Sequence, residues 1–169
     1  EEIKNNLYYG KSVNFAVPVT QPVKYLPRKV CLEPYLVGFL LSQTHFRNNE
    51  ILLNNVDVEI LDRIRKLGYN TKYVRDSENS FCTTYRITSD NFDIVERIDY
   101  LNIKFRRIPS DYLLASVEQR KELLLGMMDG MGHLRAGGKE VFVEFAPGDA
   151  ALKADFLELL ASLGIKAKN

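Results

Sequence analysis

The sequence predicts an α+β fold built from two related halves, and two observations lead to this prediction. First, segments whose apolar residues recur with helical spacing are followed by segments in which apolar and polar residues alternate, as in strands. Second, the segment Tyr35–Arg47 (YLVGFLLSQTHFR) is repeated 88 residues later as Leu123–Arg135 (LLLGMMDGMGHLR), with leucine, glycine, histidine and arginine at matching places. We therefore predict a pseudo-two-fold domain in which the two lead helices pack together.

The first elements follow from proline, glycine and apolar patterning. A glycine and three prolines interrupt residues 1–30, which predicts an irregular arm with strand-like pieces such as Val13–Val19. Pro34 suits the first position of a helix over the apolar run Tyr35–Ser42. A short strand is then predicted over Glu50–Asn54.

The rest of the first half is predicted as a helix followed by two strands and a second helix. Asp57 can cap the first of these helices, which runs to Leu67 and ends at Gly68. Strands over Tyr69–Arg75 and Phe81–Thr88 flank a polar turn. The remaining predicted elements are a helix capped by Ser89 or Asp90 that runs to Leu101, a helix from Ser116 to Met128, a hairpin of His133–Ala136 with Lys139–Phe145, and a helix over Asp149–Leu163.

These elements divide the chain into an N-terminal arm over 1–32, a first half over 33–115 and a second half over 116–169. The second half is short enough to be truncated, and because the chain begins at Glu1 rather than Met we expect a fragment or a processed piece.

Small residues mark the faces that we expect to join the two lead helices. Gly38 and Ser42 lie four positions apart, as do Gly126 and Gly130. Residues four apart share one helix face, and residues without bulk let two helices approach closely.

The composition is that of an ordinary globular protein and names no partner. Apolar residues make up 46% of the 169 residues, and 23 Lys and Arg balance 22 Asp and Glu. No apolar run is long enough to cross a bilayer, so a membrane is not an expected partner. Cys31 and Cys82 form no metal-like cluster with the two histidines, which favours free thiols in a reducing, cytoplasmic compartment. We expect a monomer.

The two repeated segments resemble the paired motifs of the LAGLIDADG homing endonucleases, and most of all the endonuclease domain found inside inteins. The motif copies are Leu36–Thr44 and Leu124–Gly132. Two further stretches, Arg106–Pro109 and Leu163–Ile165, are similar to segments of intein endonuclease domains. The likeness covers nearly the whole chain.

The resemblance implies a saddle of two αββαββα-type halves, with the motif helices as its spine and two antiparallel sheets lying along the major groove of DNA. In the family the eighth residue of each motif is an acid that holds Mg²⁺ for cleavage. Here those positions are Gln43 and Met131, and neither an amide nor a thioether replaces a carboxylate on Mg²⁺. We therefore predict that cleavage is lost and that no cofactor is bound. Asp129 points away from Met131 around the helix, which favours a structural role.

The resemblance also implies candidate contacts to double-stranded DNA. Basic residues concentrate in 63–75 and 104–107, where Arg106 falls near a family position often occupied by Lys beside the cleavage site. Cations track phosphates, and polar side chains that face outward from strands reach base edges. The candidates are His45, Arg47, Lys72, Arg75, Thr84, Arg86, His133, Arg135 and Lys139.

Alternatives are open for these residues. The two histidines could instead bind a transition metal near the pseudo-two-fold axis, and the charged residues could form an ordinary solvated surface. In the second half Glu140 and Glu144 would repel phosphate if their face met DNA, so DNA binding is expected to be weak.

Protein splicing by this chain alone is not expected. The resemblance implies that splicing of an intein needs a nucleophilic first residue, a TxxH block and a terminal His-Asn pair. In this sequence residue 1 is Glu, and Asn169 follows Lys168. The expected partner is therefore a host intein splicing domain. Two other functions stay open: a DNA- or RNA-binding module that has discarded cleavage, and a purely structural insert.

Overall fold

The computed structural model of this chain describes residues 7–13, 20–47, 50–54, 56–74, 83–137 and 140–167, and within them the fold is α+β. The elements in chain order are β1 Tyr8–Tyr9, β2 Ser12–Val13, α1 Pro34–Gln43, β3 Thr44–Arg47, β4 Glu50–Asn54, α2 Val58–Lys66, β5 Asn70–Val74, β6 Thr84–Thr88, α3 Ile94–Tyr100, a 3-10 turn Ile103–Phe105, α4 Ser110–Leu113, α5 Val117–Met131, β7 Gly132–Gly137, β8 Glu140–Phe145 and α6 Ala150–Ser162.

The two lead helices α1 and α5 pack together through their glycines. A methyl group built on Gly38 would lie 2.0 Å from the Leu123 carbonyl oxygen. A methyl group built on Gly126 would lie 1.9 Å from the Tyr35 carbonyl oxygen. These two contacts are related by the sequence repeat, because Leu123 matches Tyr35 just as Gly126 matches Gly38. The repeat is therefore expressed as a pseudo-two-fold contact between backbones, which only glycine permits at this distance.

The first half also forms an antiparallel sheet of four strands in the order β3-β4-β6-β5, whose buried residues belong to the same core as the helix pair. The register places Ile51, Leu53 and Ile87 on one face, and all three are buried in the core. Residues at the alternate positions of β5 and β6, including Lys72 and Arg86, share the opposite face. The sheet thus has an apolar inner face and a polar outer face.

The second half contains fewer elements than the first in the part of the chain that the structure describes. Its hairpin, β7 and β8, forms a separate two-stranded sheet, and α6 follows it. The stacked rings of Phe145 and Phe156, with centroids 4.0 Å apart, join the hairpin to α6. No strand pair equivalent to β5 and β6 follows α6 within the described residues, so the αββαββα-type pattern is complete there only in the first half.

One predicted helix start is wrong. Neither Ser89 nor Asp90 caps α3, because the Asp93 carboxylate accepts hydrogen bonds from the Val95 and Glu96 amides and the helix begins at Ile94. The intervening residues instead form a turn in which the Asn91 amide donates to Ser89 Oγ. The N-terminal cap at Ser116 is confirmed, and the reciprocal hydrogen bonds with Gln119 make it a capping box. That helix runs to Met131, three residues beyond the predicted end.

The segment between α3 and α5 carries structure that the sequence pattern did not predict. It contains the 3-10 turn and the single helical turn α4, and both Asn102 and Arg106 have positive φ, at 55° and 50°. Two non-glycine residues in the left-handed region interrupt any helical periodicity, so the sequence of this segment does not predict its short helical turns.

Asp155 ties this segment to α6. Its carboxylate is buried, accepts two hydrogen bonds from the Arg107 guanidinium at 2.7 and 2.9 Å, and accepts a third from the Ile108 amide at 2.9 Å. The same contact raises the pKa of Arg107, first through the hydrogen bond and then through the charge of Asp155. Asp155 therefore fixes how the second half closes on the linker before α5.

We expect Asp155→Ala to lower the free energy of unfolding by about 2 kcal/mol, because it leaves a buried amide without its acceptor. Urea unfolding followed by circular dichroism measures this loss. Glu158→Ala, at an exposed position of the same helix, is the control and is expected to change the free energy by less than about 0.5 kcal/mol. Equal effects of the two substitutions would contradict the assigned role.

Candidate nucleic-acid interface

The two positions at which the motif resemblance implies acids meet at one end of the helix pair. Gln43 and Met131 are the last residues of α1 and α5, and both are partly buried. A methyl group on Gly130 would lie 3.3 Å from Gln43 Cβ and 2.6 Å from Ser42 Cβ, so the last turns of the two helices are in contact. This end offers a neutral amide and a thioether where Mg²⁺ would need carboxylates.

A buried hydroxyl group lies between α1 and α5 near this end. Ser42 Oγ lies 2.8 Å from the Gly38 carbonyl oxygen of its own helix and 3.1 Å from the Met127 carbonyl oxygen of the other. The hydroxyl thus lies between carbonyl groups of both helices, where a larger side chain would separate them.

Asp129 has a structural role, as the helix geometry predicted. Its carboxylate accepts a hydrogen bond from the Tyr35 hydroxyl at 2.8 Å and lies 3.9 Å from the Arg63 guanidinium. Burial, together with this hydrogen bond, raises the pKa of Tyr35, so the hydroxyl keeps its proton. The guanidinium carbon of Arg63 also lies 3.8 Å from the centroid of the Tyr35 ring. Asp129 is therefore engaged in a contact that joins α5 to α1.

Arg106 reaches the end of α1. Its Nη1 donates a hydrogen bond to the Leu41 carbonyl oxygen at 3.1 Å, two residues before Gln43. A cation at a helix C-terminus is favourable toward the helix dipole and satisfies a carbonyl that lacks a partner within the helix. The fold thus brings Arg106 to the last turn of α1, 65 residues earlier in the sequence.

The outer face of the four-stranded sheet, defined by Lys72, Thr84, Arg86 and Thr88, holds three of the candidate contact residues, Lys72, Thr84 and Arg86. The register places Lys72 beside Arg86, with Thr84 and Thr88 at alternate positions of β6. Lys72 is exposed and makes no ion pair in the described part of the chain. The outer face therefore offers one available cation flanked by hydroxyl groups.

Arg86 is partly neutralised on this face. Its Nη2 forms an ion pair with Glu50 at 2.7 Å, whereas its buried Nε has no hydrogen-bond acceptor among the described residues. A cavity of about 350 Å³ beside it is lined by Arg86, by Glu50 and by Asp93, so acids outnumber cations there. Phosphate binding by Arg86 would have to compete with Glu50.

The side chains of four predicted contact residues lie outside the part of the chain that the structure describes. The backbones of His45 and Arg47 pair with Leu52 and Glu50 in β3 and β4, and their side chains lie outside what the structure describes. Arg75 and Lys139 also lie outside the described residues.

The corresponding residues of the second half are exposed on the hairpin. His133 and Arg135 lie in β7 at alternate positions, and the Arg135 guanidinium forms a hydrogen bond and ion pair with Glu144 at 3.3 Å. Glu144, which is expected to weaken DNA binding, thus pairs with Arg135, which is expected to contact DNA.

The fold pairs half of the cations in the two basic runs with acids. Neither 104–107 nor 63–75 contains an acid, yet Lys104 pairs with Asp99 at 2.5 Å and Arg107 pairs with Asp155. Arg63 and Arg65 pair with Glu122 and Asp62, each at 2.8 Å. The sequence runs are therefore far less positive in the folded chain than they appear in the sequence.

Among the residues that the structure describes, no group of three or more His, Cys, Asp or Glu side chains could hold a metal ion. A search of the same residues finds no helix long and apolar enough to cross a membrane.

Comparison with known proteins gives one partial likeness. No family model matches the chain. A stretch of 63 residues is 40% identical to a protein named replicative DNA helicase DnaB from Mycobacterium intracellulare. This match covers 37% of the chain and 10% of that protein, so the chain spans only a small part of the curated relative that it matches.

Proposed function

We propose that this chain is the LAGLIDADG-type endonuclease domain of an intein and that it has lost DNA cleavage. The observation that carries the proposal is the reciprocal packing of α1 and α5, in which Gly38 and Gly126 each meet the backbone of the partner helix. Two repeated helices that meet through matching glycines are the arrangement that the motif resemblance implies.

The loss of cleavage follows from the chemistry at the end of the helix pair. Hydrolysis of a phosphodiester by Mg²⁺ needs hard oxygen ligands from both halves. Gln43 supplies only a neutral carbonyl oxygen and Met131 only sulfur, while the nearby Asp129 is bonded to Tyr35. These residues do not fit a magnesium site.

The partial likeness supports a host for such a domain. The relative that matches 63 residues is named as a replicative DNA helicase, and the match covers a tenth of its length. We propose that this chain is inserted, with its intein splicing domain, in a protein of that kind, which we call the host polypeptide.

Double-stranded DNA is the proposed ligand, held weakly by the outer face of the sheet. Lys72 and Arg86 would contact phosphates, and Thr84 and Thr88 lie beside them at positions that can reach base edges. His45, Arg47, Arg75, His133, Arg135 and Lys139 remain proposed contacts, with Arg106 near the former cleavage site.

A purely structural insert is the second candidate function, because one observation favours it. The ion pairs of Arg63, Arg65, Lys104 and Arg107 neutralise half of the cations in the two basic runs. The DNA-binding domain and the structural insert differ in how their affinity for DNA responds to salt. Phosphate contacts release counterions, so specific DNA binding weakens as salt rises, whereas weak adhesion without phosphate contacts does not.

Binding of the chain to a labelled duplex at increasing salt tests the proposed ligand. We expect the logarithm of the binding constant to fall linearly with the logarithm of salt concentration, and Lys72→Ala to reduce the slope by about 0.9, as for one lost phosphate contact. Lys153→Ala, at an exposed position of α6, is the charge-matched control and should keep the slope. A slope near zero for the natural chain would instead favour the structural insert.

A further inference from the structure

The four-stranded sheet contains a single acid, Glu50, at the start of β4. The strands β3, β4, β5 and β6 read THFR, EILLN, NTKYV and TYRIT, and no other Asp or Glu occurs in them. Side chains alternate between the two faces of a strand, so Glu50 shares the outer face with Leu52, which lies opposite Arg86. Lys72 lies opposite Arg86 on its other side, and the register places Arg47 opposite Glu50. An acid thus lies among the cations of the face that is proposed to meet DNA.

Glu50 holds only part of the Arg86 side chain. Its Oε1 forms an ion pair with Arg86 Nη2 at 2.7 Å, and 38% of the Glu50 side chain and 35% of the Arg86 side chain are exposed. The buried Nε of Arg86 has no acceptor among the described residues, so Glu50 does not take the Nε and Nη2 donors together, as a bidentate acceptor would. A carboxylate and a guanidinium are therefore held side by side on the outer face.

Charge neutralisation within the sheet is the ordinary explanation for this acid. Lys72 and Arg86 lie directly opposite each other, and like charges at such positions repel. Glu50 on the other side of Arg86 would reduce that repulsion. However, an ion pair whose side chains are 35% and 38% exposed contributes little to stability, because water and salt screen it. Stability is therefore a weak reason for an acid on a cationic face.

The major groove of DNA offers a ligand that suits both members of the pair. Guanine presents two neighbouring acceptors, O6 and N7, to an arginine, and the cytosine of the same base pair presents its N4 amino group to a carboxylate. Adenine presents a donor beside its N7, so an A·T pair has no such neighbouring acceptors on its purine. A phosphate presents acceptors only, and its charge is repelled by Glu50. Arg86 and Glu50 together therefore match a G·C pair better than they match a phosphate.

We propose that Glu50 is a specificity-determining residue, which with Arg86 reads one G·C base pair in the major groove and opposes binding to phosphate alone. The inference rests on double-stranded DNA being the ligand of this face, and it moves Arg86 from a phosphate to a base edge. Lys72 keeps its phosphate contact, because it makes no ion pair in the described part of the chain. Glu50 thus lowers the affinity for DNA in general and increases the discrimination between sequences.

Selection from a library of duplexes with randomised sequence tests this role, followed by affinity measurements at several salt concentrations. The natural chain is expected to enrich G·C at one position, and replacement of that pair by A·T should weaken binding about tenfold. Glu50→Gln, which keeps the size of the side chain, should lose this preference. Its affinity for random duplex should rise, and its salt slope should steepen by about 0.9 as Arg86 turns to a phosphate.

Asp62→Asn is the matched control. It removes the same charge and releases Arg65, whose guanidinium pairs with Asp62 at 2.8 Å. Arg65 also donates a hydrogen bond to the Thr71 hydroxyl at 2.7 Å, and Thr71 alternates with Lys72 along β5, so the released cation lies on the other face of the sheet. This variant should keep the base preference and the salt slope of the natural chain.

A base preference that Glu50→Gln retains would overturn the inference, as would a selected sequence without an enriched G·C pair. A lower melting temperature of Glu50→Gln with unchanged DNA binding would assign Glu50 to charge neutralisation instead. Circular dichroism checks that both variants are folded. Binding of the natural chain that does not depend on salt contradicts the proposed ligand, whereas salt-dependent binding that Glu50→Gln leaves unchanged contradicts the role of Glu50 alone.

Discussion

Gly126→Ala is expected to prevent stable folding, with a loss of about 4 kcal/mol or more in the free energy of unfolding. The added methyl group would lie 1.9 Å from the Tyr35 carbonyl oxygen and 2.8 Å from the Phe39 amide nitrogen. Both atoms belong to the backbone of α1, which cannot move aside without separating the helices. Urea unfolding, or the absence of a cooperative transition, measures the effect.

Two other glycines give the matched comparisons. Gly38→Ala should be as damaging as Gly126→Ala, because its methyl group would lie 2.0 Å from the Leu123 carbonyl oxygen. Gly148→Ala should change stability by less than about 1 kcal/mol, since nothing lies within 4 Å of its added methyl group. If Gly126→Ala were as stable as Gly148→Ala, the helices could not pack through their glycines.

The double variant Gln43→Glu with Met131→Glu is expected to gain metal-dependent nicking of DNA. The two positions lie at the same end of the helix pair, so two carboxylates there could share divalent ions. Metal-ion stabilisation of several kcal/mol corresponds to a rate increase of about a hundredfold or more over the natural chain. Conversion of supercoiled plasmid to open circles, with Mg²⁺ or Mn²⁺ and with chelator, measures the gain.

The single variants are the controls for this restoration. Gln43→Glu alone and Met131→Glu alone each supply the ligand of one half, so neither should approach the double variant. A folded double variant that binds DNA and shows no nicking would contradict the prediction, because the loss would then extend beyond the two acids.

The helix pair could be predicted from the sequence because its signal is local. Small residues spaced four apart in two matching segments specify both the helices and the faces by which they meet. The small residues of these two segments, Gly38 and Gly126 among them, predict the contact, and the structure shows each of these glycines against the backbone of the other helix. The cap at Ser116 also follows from residues next to the helix it begins, and α2 starts directly after Asp57 as predicted, although the Asp57 side chain makes no capping hydrogen bond.

The electrostatics of the site could not be predicted from the sequence because ion pairs are formed by the tertiary fold. Arg107 and Asp155 are 48 residues apart, as Arg63 and Glu122 are 59 apart, and no local pattern connects them. The basic run over 104–107 therefore predicted a positive surface that the fold largely neutralises. The alternation in β8 likewise predicts an apolar face on the hairpin. It does not predict that Val143 on this face is exposed among the described residues.

Incubation of the natural chain with a plasmid that carries the joined host coding sequence, in Mg²⁺ and in Mn²⁺, tests the central claim most directly. In the proposed insertion, this joined sequence is the site that the inserted domain interrupts. With Gln43 and Met131 at the end of the helix pair, we predict that the plasmid stays supercoiled. Robust, metal-dependent cleavage by the natural chain would contradict the account.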